Sequence, residues 1–136
     1  AKLQRVQNSL ARVVSQVSKL KRAAPLLESL NWLPISQRIT FKMAVITYNV
    51  RRTSTSANLH NLLIDRSTSS SMSLRSSHQP LLTVRRCRTE YGRRAFCVAA
   101  TEVWNKFPPI VQLSDTSQLF RSRLNIFLFE TAFEEL

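Results

Sequence analysis

Five arginines fall within ten residues: Arg85, Arg86, Arg88, Arg93 and Arg94. Their one acidic neighbour is Glu90, and Tyr91 sits inside the run. Arginine presents a planar fork of donors that matches the oxygens of a phosphate. An interleaved aromatic adds a face on which a base can stack. The run therefore carries the chemistry of phosphate contact; its plainer reading is a solvated basic loop. A second basic series, Arg5, Arg12 and Lys19, recurs every seven residues. No acidic residue precedes Glu28, so nothing nearby in sequence neutralises that series.

The acidic inventory weighs against catalysis. Two-metal nucleotidyl transfer needs clustered carboxylates that hold ions roughly 3.5–4 Å apart. The chain has only two aspartates, Asp65 and Asp115, far apart in sequence, and one adjacent acidic pair, Glu134–Glu135, at its end. His60, His78, Cys87 and Cys97 do not follow the ligand spacing of a zinc knuckle or finger. A single glycine, Gly92, leaves no glycine-rich phosphate loop. We expect no catalytic residue, no metal and no cofactor.

The balance of 20 basic to 8 acidic residues gives a net charge of +12. Such a surplus points to an acidic partner, nucleic acid ahead of an anionic membrane. Fifteen of the basic residues are arginine, which favours phosphate. Two cysteines make no disulfide framework and read as reduced and intracellular. No stretch approaches the roughly 20 apolar residues that span a bilayer, and AKLQRVQNSL at the start lacks the apolar run of a signal peptide. A chain beginning at alanine reads as a piece of a longer one.

The elements that must position these residues follow from periodicity. Leu3 to Lys21 predicts a long amphipathic helix, with Leu3, Val6, Leu10, Val13, Val14, Val17 and Leu20 on one face and Arg5, Arg12 and Lys19 beside it. Pro25 to Leu30 predicts a short helix, and Ile35 to Val50 a second long one. The latter has two apolar faces, Ile35, Ile39, Met43, Ile46 and Val50 on one and Phe41, Val45 and Tyr48 on the other, so it belongs at the centre. Ala57 to Ile64 reads as another short helix. Residues 66–79 are serine-rich and read as a flexible loop, and residues 81–87 as a small extended segment. In Tyr91 to Pro109, Gly92 marks either a positive φ or a close approach. Ala95 to Phe107 then forms a helix anchored by Trp104 and stopped by Pro108 and Pro109. Asp115 with Gln118 resembles a capping box for a last helix to about Phe129, with Phe120, Leu124, Phe127 and Leu128 inward.

Several segments are also familiar as words. LQRVQNSLARVV (Leu3–Val14), LLESLNWLPISQRITFK (Leu26–Lys42), LRSS (Leu74–Ser77), YGRRAFCVAATEVWNKFP (Tyr91–Pro108) and SQLFRSRLNIFLF (Ser117–Phe129) occur in that order. Together they resemble the C-terminal region of the reverse transcriptase polyprotein of non-LTR retrotransposons, LINE elements of a group that includes the Jockey-like ones, across essentially the whole chain. Two positions depart from the family pattern. Ser56-Ala57-Asn58-Leu59 stands where the family has a Pro-x-Tyr-Leu turn, and Thr101 stands where it has proline after the Ala-Ala pair; both read as drift in a copy. The resemblance implies a parent that is an RNA-directed DNA polymerase with an endonuclease. Its Asp-Asp motif lies upstream of this segment, so no catalytic residue carries over.

The combined expectation is a mainly α, irregular helical domain over residues 1–136. It would have two long helices, several short ones and at most a small extended segment near 81–87. Its expected role is non-catalytic: to hold template RNA or target DNA beside an upstream polymerase domain of the same polyprotein. No membrane partner is expected, and the setting is the cytoplasm and nucleus. Arg5, Arg12, Lys19, Arg85, Arg86, Arg88, Arg93 and Arg94 would make the phosphate contacts. The rival expectation is a structural module packing on the polymerase thumb, or a decayed copy with no role.

Overall fold

The computed structural model describes residues 2–54, 56–66 and 79–134. Over these the chain is mainly helical. Eight helices follow in order: α1 (Lys2–Val14), α2 (Ala24–Ser29), α3 (Ile35–Thr53), α4 (Ala57–His60), α5 (Glu90–Arg93), α6 (Phe96–Asn105), α7 (Pro109–Gln112) and α8 (Ser117–Glu134). Among the described residues there is no sheet. Asp65 and Leu82 form an isolated antiparallel bridge, with Arg66 N–H donating to Leu81 O at 3.0 Å and Thr83 N–H to Ile64 O at 2.7 Å. Its Leu82 side lies in the segment expected to be extended, 81–87. Most of the serine-rich loop expected at 66–79 lies outside the described residues.

Three helices end on residues other than glycine in the left-handed region: Gln16 (φ 51°), Asn31 (φ 54°) and Ser54 (φ 48°). After α1, Val17 N–H returns to Arg12 O and Gln16 N–H to Val13 O. After α2, Trp32 N–H returns to Leu27 O and Asn31 N–H to Glu28 O. Both are the paired bonds of a Schellman stop, which satisfies carbonyls left over at a helix end. The stop at Gln16 corrects the expected helix to Lys21. Lys19 lies beyond it, off the helix.

Two compact units are present, Lys42–Leu124 and Ala1–Phe41 with Asn125–Leu136; α3 and α8 contribute to both. In the unit that holds α1 and α2, Leu27, Ala23 and Leu128 are buried. Here α1 buries Gln7 and Ala11, not its apolar series. Gln7 Nε2 donates to Leu33 O at 2.8 Å, and Gln4 Oε1 accepts from Ile35 N–H at 2.8 Å, satisfying an orphan donor at the start of α3. These bonds aim the Gln4–Gln7–Ala11 face inward. The Leu3–Val6–Leu10 face lies roughly a quarter of a turn away at 100° per residue and stays exposed, by 51–72% over Leu3, Val6, Leu10, Val13 and Val14.

The Lys42–Leu124 unit is built on an aromatic stack. Tyr48 and Phe120 lie 4.2 Å apart at 14°, and Trp104 and Phe120 5.9 Å apart at 21°. All three are buried. Each polar tip is tied: Tyr48 O–H donates to Ser114 O at 2.7 Å and Trp104 Nε1 to Pro80 O at 2.8 Å, as buried aromatics with a polar handle require. The α6 helix buries Val98, Ala100, Thr101 and Trp104. Asn105 at its end grips the extended segment, its Oδ1 accepting from Leu82 N–H and its Nδ2 donating to Leu82 O, each at 2.8 Å. Pro109, expected only to stop a helix, opens α7 as a first-turn proline. The expected Asp115 cap belongs to Thr116, whose Oγ1 accepts from Leu119 N–H at 3.2 Å. The two-faced burial expected of α3 is also corrected: it buries Ala44, Thr47, Tyr48 and Val50, while Ile39 and Ile46 are exposed.

Candidate nucleic-acid interface

The Arg85–Arg94 run leaves the core at Leu82, which Asn105 holds on both its backbone groups. It then passes through an irregular stretch to the short helix α5. Thr89 caps that helix, its Oγ1 accepting from Gly92 N–H at 3.1 Å. Gly92 has a negative φ, so conformational freedom is not its purpose. A Cβ there would overlap Cys87 Sγ and lie 3.1 Å from Thr89 Oγ1. Of the two readings open for this glycine, close approach is the one the structure shows.

All five arginines of the run are exposed. Arg93 meets Glu90 at 3.5 Å, but both side chains are mostly in solvent, so the pair holds the arginine weakly. The guanidinium groups of Arg85, Arg86, Arg88 and Arg94 have no hydrogen-bond or ion-pair partner among the described residues. This cluster brings together five of the eight residues expected to contact phosphate, with little internal neutralisation.

The other three belong to the unit of α1. Arg5 is exposed. Arg12 spends its Nε on Lys21 O at 2.9 Å. Lys19 is exposed beyond the end of α1. Arg5 and Arg12, seven residues apart, both lie on α1, and Lys19 does not continue them.

A second arginine pair was not singled out from the sequence. Arg51 lies with its Cζ 5.0 Å from the Trp104 ring centroid and pairs with Asp65 at 2.6 Å. Arg52 lies 5.8 Å from the Tyr48 centroid and donates to Tyr48 Oη at 2.9 Å and Ser114 O at 3.3 Å. They line a cavity of about 350 Å³ with His60, Gln112 and Asp115. Asp65 and Asp115 offset the two arginines there, and both guanidinium groups already hold partners in the fold. The signal that would have found Arg52 is Tyr48, four residues earlier on the same helix face.

Among the described residues no group of three or more His, Cys, Asp and Glu could hold a metal ion, and no helix is long and apolar enough to cross a membrane. No protein-family model matches the chain, and neither a curated protein nor a solved structure is found to be similar to it.

Proposed function

We propose that the chain is a non-catalytic nucleic-acid-binding segment of a retrotransposon RNA-directed DNA polymerase, holding RNA or DNA through phosphates. One observation carries the binding: five exposed arginines within ten residues, of which only Arg93 has an ionic partner among the described residues. Cations with no internal partner are available to replace the counterions of a polyanion. Such contacts position a strand without reading its sequence. The retrotransposon assignment rests on the five ordered sequence segments. The upstream polymerase of the same polyprotein supplies the second partner in this reading, and the setting is intracellular.

Charge reversal tests where binding occurs. Arg85→Glu with Arg86→Glu should abolish retention of a labelled oligonucleotide at low salt, whereas Arg5→Ala with Arg12→Ala should change it little. The reverse ranking would move the site to the unit of α1.

A second reading has its own observation. The apolar face of α1, more than half exposed at Leu3, Val6, Leu10, Val13 and Val14, suits a module that packs on a neighbouring domain. The two readings use different residues. Val6→Lys with Val13→Lys should leave oligonucleotide binding intact if the arginine run is the site.

A further inference from the structure

Tyr91 is 85% exposed in the middle of the arginine run. Its hydroxyl has no hydrogen-bond partner and its ring no aromatic or cationic partner among the described residues. The other tyrosine, Tyr48, is 4% exposed, stacked on Phe120 and bonded through its hydroxyl. Leaving so large a ring in water forgoes the burial that Tyr48 has.

The backbone beneath Tyr91 is well fastened. Thr89 Oγ1 accepts from Gly92 N–H, Arg93 N–H donates to Thr89 O at 3.2 Å, and Arg94 N–H donates to Tyr91 O at 3.2 Å. Ala95 N–H then donates to Gly92 O at 3.0 Å and leads into α6. Gly92 lies against Cys87 Sγ, five residues back in the same loop. A ring on an anchored turn loses little backbone freedom on meeting a partner, which lowers the cost of binding. Arg88, Arg93 and Arg94 flank it, all exposed.

We propose that Tyr91 is a stacking platform for one unpaired base, and that this surface therefore prefers single-stranded nucleic acid to duplex. The inference rests on the phosphate-binding reading above and names the form of its substrate. The phosphates on either side of the stacked nucleotide would meet the flanking arginines, the combination by which single strands are held without sequence preference. A duplex keeps its bases stacked on one another and offers the ring no face. It would engage the arginines alone.

The test compares a fluorescein-labelled single-stranded oligonucleotide with its duplex, by anisotropy at one fixed low salt concentration, using the full chain. Tyr91→Ala should weaken single-strand binding roughly 5- to 150-fold, the range of base–aromatic stacking, and leave duplex binding within about twofold. Tyr91→Phe keeps the face and should restore single-strand binding. Tyr91→Leu keeps bulk without a π-face and should not. Tyr91 is exposed, so these variants should fold, and circular dichroism checks that they do. Equal losses on both strand forms, no loss on either, or rescue by leucine as complete as by phenylalanine would each overturn the stacking role. If neither strand form binds the parent chain, the phosphate-binding reading fails first. If both bind and only the Tyr91 series is flat, stacking alone fails.

Discussion

Trp104 makes three kinds of contact at once: its ring stacks on Phe120, its Nε1 bonds to Pro80 O, and Arg51 lies over its face. At 1% exposure it fills the centre of the Lys42–Leu124 unit. Trp104→Ala should cost about 3–5 kcal/mol, as truncating a large buried aromatic does, read from the midpoint of denaturant unfolding. A variant melting like the parent would remove the residue from the core. Gly92 gives a subtler test. With a negative φ, alanine there should gain helix propensity, about 1 kcal/mol, but its Cβ would meet Cys87 Sγ. Gly92→Ala should therefore be more favourable in a Cys87→Ala background than in the parent. A double-mutant cycle with strictly additive terms would contradict the close approach. Both residues were conspicuous in the sequence, one as the anchor of an apolar helix and one as the lone glycine. What sequence left open at Gly92, a backbone angle or a near neighbour, depended on where Cys87 packs.

At the scale of elements, periodicity located the helices better than it located their ends or inward faces. The α8 cap shows why. Asp115 and Thr116 are both competent capping residues and adjacent, and only the backbone path selects Thr116. Thr116→Ala should lower stability by about 0.5–2 kcal/mol and Asp115→Ala by clearly less. The opposite order in thermal melts would restore the sequence-based assignment. The end of α1 is similar. No glycine or proline marks it, yet Gln16 takes the left-handed conformation that glycine adopts at least cost. Gln16→Gly should stabilise the chain by up to about 1 kcal/mol; a loss would mean the stop depends on the glutamine itself. The inward face of α1 was not legible because two glutamine side chains fix it. Apolar spacing carries no information about those amides. The exposed α1 series remains the best feature for the packing reading, and the α6 helix, anchored by Trp104, the clearest match between pattern and structure.

Across the whole molecule, a net charge of +12 is the property least dependent on fold detail. The structure adds where part of that charge is free. Arg12, Arg51 and Arg52 spend donors on neighbours in the fold, while the run from Arg85 to Arg94 is exposed and, among the described residues, has only Glu90 paired with it. If this run binds nucleic acid through phosphates, each contact releases counterions and binding must weaken as salt rises. With about four contacts on duplex, log K should fall against log salt with a slope of roughly −3 to −4. Arg93→Ala with Arg94→Ala should make that slope shallower by about two and weaken binding alike on all sequences. A parent slope near zero, or a double variant with the parent's slope, would contradict the account.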